Sequence, residues 1–108
     1  MRKTLAAIAV LAALATPAAA QTGLASWYQM GHTTASGERY RPDGLTCAHR
    51  TLPFNTRVRV TYRGRSVVCR VNDRGPFIRG RVLDLSRGAA RAVGLLPVGV
   101  ARVTYQVL

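Results

Sequence analysis

The sequence predicts a mainly β fold, in which five or six short strands and one short helix close into a small barrel. Three observations carry this expectation. Arg57 to Tyr62 alternates strictly, with Val58, Val60 and Tyr62 on one side and Arg57, Arg59 and Thr61 on the other, the period of a half-buried antiparallel strand. Turn-forming clusters at Arg63-Gly64-Arg65 and Asn72-Asp73-Arg74-Gly75-Pro76 cut the β-branched stretches into short pieces. Arg87 to Val93, between a capping Ser86 and a terminating Gly94, reads as one short helix with Ala89, Ala90 and Val93 inward. Closing such a sheet also removes its exposed edges.

The first 20 residues read as an export leader and not as part of the fold. Arg2-Lys3 starts it, Leu5 to Leu14 is an apolar run too short to span a bilayer, and Ala18-Ala19-Ala20 is a small-residue cleavage site. The alternative is an N-terminal membrane anchor. No cysteine follows the cleavage site, so neither lipid attachment nor a stable membrane anchor is expected, and the protein is expected in the periplasm or secreted. Residues 21–108 then form a single domain with a thin core, expected to be a monomer.

Along that domain, Gly23 to Tyr28 is a first strand holding the single Trp27, and Gln29 to Gly37 is a polar loop in which His32 reads as a surface residue. Glu38-Arg39-Tyr40 leads to a turn at Pro42-Asp43-Gly44. Leu45 to Thr51 is an extended or helical crossing with Cys47 inward, and Leu52 to Asn55 is a loop. Ser66 to Val71 places Val67, Cys69 and Val71 on one face, Arg81 to Leu85 resumes an extended pattern, and Val100 to Leu108 is a terminal strand with Ala101, Val103, Tyr105 and Val107 together.

Export places the two cysteines in an oxidising compartment, and the even count favours a Cys47–Cys69 disulfide. Two reduced buried thiols are the alternative. A two-cysteine metal site lacks partners at suitable spacing, so neither a metal nor another cofactor is expected. Beyond the leader stand fourteen arginines and no lysine against four carboxylates, a net charge of +10. That charge favours anionic partners. Export and the lack of a recognition helix or stacking motif argue against nucleic acid, which leaves an anionic wall polymer.

The segments GLASWY, TASGERY, LTCAHRTLPFNTRVRV, VVCRVNDRGPF and GRVLDLSRGAA resemble, in order and spacing, the rare lipoprotein A (RlpA) family over Gly23 to Leu108. The resemblance implies a six-stranded double-psi β-barrel and a lytic transglycosylase that cuts peptidoglycan glycan strands, with a preference for strands poor in stem peptide. It places the family's acidic position on Glu38, its histidine on His49 and its Asn-Asp-Arg-Gly-Pro aspartate on Asp73. Two positions depart from the pattern. Arg41 stands where many members have an acidic residue, with Asp43 two residues further on, and Asn55 stands where the family usually has Gly, a change tolerable at positive φ. The lipid attachment site and C-terminal peptidoglycan-binding repeat of longer members are not seen.

Cleaving a glycosidic bond needs a group that protonates the leaving oxygen and a group that activates the attacking one. A lytic transglycosylase attacks with the sugar's own 6-hydroxyl, so one carboxyl can serve first as acid and then as base. Asp73 is the expected general acid/base, with Glu38 as the second carboxylate and His49 setting a carboxylate's protonation. The plainer readings are a turn cap for Asp73, an arginine salt bridge for Glu38 and a structural role for His49. Arg74, Arg50 and Tyr40 are candidate substrate-binding residues. Trp27 is divided between sugar stacking and core, and Asp84 reads as a structural partner for backbone N–H or an arginine. The alternative function is a non-catalytic barrel that binds peptidoglycan glycan; an exported basic inhibitor has only charge and size behind it.

Overall fold

The computed structural model describes residues 19–108, so the leader expected over residues 1–20 lies outside the described residues except for its last two positions. Six strands run in chain order as β1 (Gln21–Tyr28), β2 (Thr46–Ala48), β3 (Arg57–Tyr62), β4 (Arg65–Asp73), β5 (Arg81–Ser86) and β6 (Ala101–Val107), with helix α1 (Arg87–Val93) between β5 and β6. They close into a barrel in the spatial order β1-β5-β2-β4-β3-β6. Pairing is antiparallel along β1–β6–β3–β4 and parallel in β1–β5 and β2–β4. Parallel partners cannot be joined by a tight hairpin, so the chain crosses over between them.

The alternation read from the sequence sets which residues fill the barrel. Val58, Val60, Val71, Leu83, Leu85 and Val103 are all at most 2% exposed. The expected Cys47–Cys69 disulfide joins β2 to β4 inside this core, with Cα atoms 5.8 Å apart. Trp27 packs against the core from the edge. Ser86 Oγ accepts from the Ala89 N–H at 3.2 Å, and Gly94 ends the helix at φ +84°, so both expected caps are in place. The β3–β4 hairpin turns on Arg63 and Gly64, both at positive φ, as a two-residue connection requires. Asn55 has φ +74°, the conformation expected for a residue replacing Gly.

Gly88 allows the helix to touch the turn before β2. Its N–H donates to the Pro42 carbonyl at 2.7 Å, and a Cβ there would sit 2.6 Å from the Asp43 carbonyl oxygen. The helix therefore fixes where residues 41–44 lie, and with them one wall of the site below.

Three boundaries differ from expectation. β1 starts at Gln21, because it pairs with Tyr105 of β6 and its side chain accepts from the Tyr105 hydroxyl at 3.0 Å. The stretch from Leu45 to Thr51, open between extended and helical, holds a three-residue strand with Cys47 inward. Asn72 and Asp73, assigned to the turn by their chemistry, extend β4. The parallel partner Ala48 and a His49 N–H to Asp73 carbonyl bond of 3.3 Å override local turn preference.

Candidate active-site groove

On the barrel's outer face, register puts Asp73 of β4 beside Ala48 of β2, Ala48 beside Asp84 of β5, and Asp84 beside Ser26 of β1. Adjacent strands lie about 4.8 Å apart, so the two aspartate Cα atoms are roughly 10 Å apart with only a methyl side chain between them. Leu83 and Leu85 point into the core, so Asp84 points out. Tyr28 lies on the same side of β1 as Ser26.

Asp73 is held on both oxygens. Oδ1 accepts from the N–H groups of Ala35 and Arg74, each at 2.9 Å, and Oδ2 accepts from the Tyr28 hydroxyl at 3.1 Å. Burial, followed by the charge of Asp73, pushes the Tyr28 phenol far up, so it remains a donor at any working pH. Asp84 Oδ1 accepts from Ser26 Oγ at 2.6 Å. Burial raises the Asp84 pKa, with a further push from Asp73, against the lowering effects of Ser26 and Arg81. A carboxyl raised by burial next to a second carboxyl is how one site divides acid from base.

His49 accepts from the Thr51 and Leu52 N–H groups on Nδ1, at 3.1 and 3.0 Å, which puts its ring proton on Nε2. Burial, then the charges of Arg50 and Arg74, lower its pKa and keep the ring neutral. Its backbone abuts Asp73, so the structure brings these two expected residues together.

The remaining expected residues are placed differently. Both oxygens of Glu38 accept from Arg70 at 2.7 Å, and Ser36 Oγ donates to one of them at 3.2 Å. The Arg70 bonds hold its carboxyl at about 2, so it is a paired anion and not a proton donor. It reaches the groove only through its loop, whose Ala35 N–H binds Asp73. Tyr40, expected to stack on sugar, is 4% exposed; its ring stacks on Tyr28 at 4.6 Å and its hydroxyl donates to the Tyr28 carbonyl. Core packing leaves it no face for substrate. Arg50 donates to the carbonyls of Pro76 and Arg81, and Arg74 donates to those of His49 and Leu52 while lying over the Phe54 ring. Both brace the loops around Asp73 in place of holding an anion.

Asp84, Ser26 and Tyr28 were not grouped with Asp73 from the sequence, and the structure places them beside it. A signal was present: an aspartate inside the apolar-polar-apolar run Leu83-Asp84-Leu85 faces away from the core, where strands seldom place one. An aromatic was missed as well. Phe77 is 79% exposed beside the Asp73 turn, with one edge of its ring against Gly75, where a Cβ would lie 3.5 Å away.

A family model described as lytic transglycolase matches residues 20–105. The chain is 58% identical over 93 residues to a probable endolytic peptidoglycan transglycosylase RlpA of Nostoc sp., covering 80% of this chain and 25% of that protein. It is 47% identical over 94 residues to the endolytic peptidoglycan transglycosylase RlpA of Pasteurella multocida, covering 82% and 32%. The chain thus spans about a quarter to a third of the length of these relatives. Among solved structures it matches a Streptomyces papain inhibitor at TM-score 0.72 and 23% identity, covering 85% of this chain and 96% of that one. It matches apo expansin of Clavibacter michiganensis at TM-score 0.70 and 22% identity, covering 83% and 50%. At those identities the likeness is one of fold. The chain belongs to the RlpA family of lytic transglycosylase domains, built on a six-stranded double-psi β-barrel.

Proposed function

We propose that this barrel cleaves peptidoglycan glycan strands by lytic transglycosylation, leaving a 1,6-anhydro end. The observation that carries the reading is the pair of half-buried carboxyls, Asp73 and Asp84, on the strands that flank Ala48, in a chain of this family. Asp84, its proton favoured by burial, protonates the leaving glycosidic oxygen as the C1–O bond breaks. Asp73, aimed by three donors, faces the positive charge that develops at C1 and takes the proton of the sugar's 6-hydroxyl as the C1–O6 bond forms. No water enters, and the cut strand ends in one anhydro sugar and one new hydroxyl. His49 braces the loop after β2 through its Nδ1 and meets Asp73 through its backbone N–H. Phe77 replaces Tyr40 as the surface for a sugar ring. Glu38, Arg50 and Arg74 act as positioning residues through the loops they hold.

The substrate lies outside the cytoplasmic membrane, in agreement with an exported chain, periplasmic or secreted. The test is digestion of purified glycan strands followed by mass spectrometry. Anhydro-ended fragments support the reading, while reducing ends without them point to hydrolysis. A second reading, a barrel that binds glycan without cutting, is favoured by the closed Glu38–Arg70 pair and by Arg41 at an often acidic position. Its signature is glycan binding with no fragments.

A further inference from the structure

An ionised carboxyl has about four acceptor sites, two on each oxygen. The protein itself takes three of those on Asp73. The N–H groups of Ala35 and Arg74 fill Oδ1, and the Tyr28 hydroxyl takes one site on Oδ2. One acceptor site is left, on Oδ2, and the residue is half-buried and not sealed off. Any group that gives Asp73 a proton has to use that site.

Tyr28 is pinned through both its ring and its backbone. The ring stacks on Tyr40, with centroids 4.6 Å apart and planes 20° from parallel. The Tyr40 hydroxyl donates to the Tyr28 carbonyl and accepts from the Arg87 N–H at 3.3 Å, which ties the pair to the start of α1. Tyr28 is also in register with Ser86 of β5. Tyr40 is buried, so this support is out of reach of substrate. Burial holds the Tyr28 phenol protonated, so it gives Asp73 a hydrogen bond and takes no proton from it.

Two nucleophiles compete for Asp73, the sugar's 6-hydroxyl and water. In both routes the Asp84 proton goes to the leaving oxygen. On the first route the 6-hydroxyl passes its proton to Asp73 as the C1–O6 bond forms, and the end is an anhydro sugar. On the second a water passes its proton to Asp73 as its oxygen bonds C1, and the end is a reducing sugar. Either way one proton leaves Asp84 and one reaches Asp73, and exchange with solvent resets the pair. A single acceptor site serves one nucleophile, and the 6-hydroxyl arrives already attached to the substrate. A second open site on Oδ2 would hold a water beside it.

We infer that Tyr28 is a positioning residue that selects the product: its hydroxyl occupies the site on Asp73 where a hydrolytic water would bind and leaves the carboxylate to the sugar's 6-hydroxyl, while Tyr40 holds it there. The inference rests on the proposed glycan-cleaving function and names what directs that function to the anhydro end.

The test digests purified glycan strands with wild type and with Tyr28→Phe, and compares reducing ends with anhydro ends by mass spectrometry. The substitution keeps the ring that stacks on Tyr40. Both products come from folded molecules, so their ratio does not depend on how much protein is folded. Tyr28→Phe is expected to raise the ratio of reducing to anhydro ends about tenfold, the scale of one hydrogen bond that a water gains to a charged group. Replacing Tyr28 with para-aminophenylalanine restores a donor on the same ring and is expected to bring the ratio back to the wild-type value. An unchanged ratio in Tyr28→Phe, with only the total rate lowered, overturns the inference and leaves the cleavage reading standing. Wild type that yields no anhydro ends defeats the cleavage reading, and the inference falls with it.

Discussion

The barrel has two unlike sides. The antiparallel wall of β3 and β6 alternates apolar residues inward with Arg57, Arg59, Arg102 and Thr104 outward, and it carries no carboxylate. The side formed by β4, β2, β5 and β1 is irregular, with register shifts in both parallel pairs. All four carboxylates of the described residues lie on that side or on the loop that borders it. Regular antiparallel pairing buries apolar surface efficiently but leaves its outer face to solvent. The irregular side gives up ladder regularity and holds polar groups half-buried, which is the condition for shifting a pKa.

The largest expected loss of stability lies within the irregular side, where two of its strands are stapled together. Cys47–Cys69 closes a 22-residue separation between β2 and β4, and losing it should cost about 3 kcal/mol. Reduction under native conditions should lower the unfolding midpoint accordingly; an unchanged midpoint would show that the groove side is held without the staple. Next is Ser86→Ala, which removes the helix cap, the Ser86 hydroxyl bond to the Gly44 carbonyl at 2.6 Å and the Thr46 N–H bond at 3.3 Å. It should cost about 1 to 2 kcal/mol in chemical denaturation. The smallest effect belongs to the wall: Arg59→Ser, exposed on β3, should fall within about 0.5 kcal/mol of wild type. A large effect there would break the division between the two sides.

Acidity sharpens the comparison, because two carboxylates on one side should respond in opposite directions. Glu38 is depressed to about 2 from an ordinary 4.5, so its contribution to stability is present above 4.5 and lost as pH falls toward 2. Asp84 is raised above 3.8, so its ionisation costs the native state increasingly as pH climbs from 3.8 through the raised value. Asp84→Asn should therefore stabilise the fold near neutral pH and make little difference near pH 3, as measured by melting at both. Glu38→Gln should do the reverse, destabilising at neutral pH and converging with wild type in acid.

How much of this was readable without coordinates follows the same division. The regular wall was legible, because alternation at Arg57 to Tyr62 and Val100 to Leu108 is a local signal. The disulfide and the helix caps were legible for the same reason, each resting on the chemistry of one or two residues, while the positive φ of Asn55 was legible only from the Gly usual there in the family. The groove was legible only in part. Asp73 and His49 stood out by motif, but Asp84 gains its character from Ser26, 58 positions away, and from Asp73 across an intervening strand. Tyr40 failed as a binding residue because its burial depends on Tyr28 and on the helix that follows β5. Arg50 and Arg74 resemble substrate ligands in composition, and only the loop carbonyls folded around them show what they hold.

In the proposed mechanism Asp73 and Asp84 carry the chemistry and the residues around them hold them in place. The most direct test measures anhydro-product formation, glycan affinity and melting on the same samples of wild type, Asp73→Asn and Asp84→Asn. Each substitution should lower product formation by at least about 100-fold, the scale of a positioned proton-transfer group, with glycan still bound and the fold intact. The wild-type rate should also fall as pH rises through the raised pKa of Asp84. Product formation by Asp84→Asn that merely tracks its folded fraction would contradict the claim and return Asp84 to a structural role.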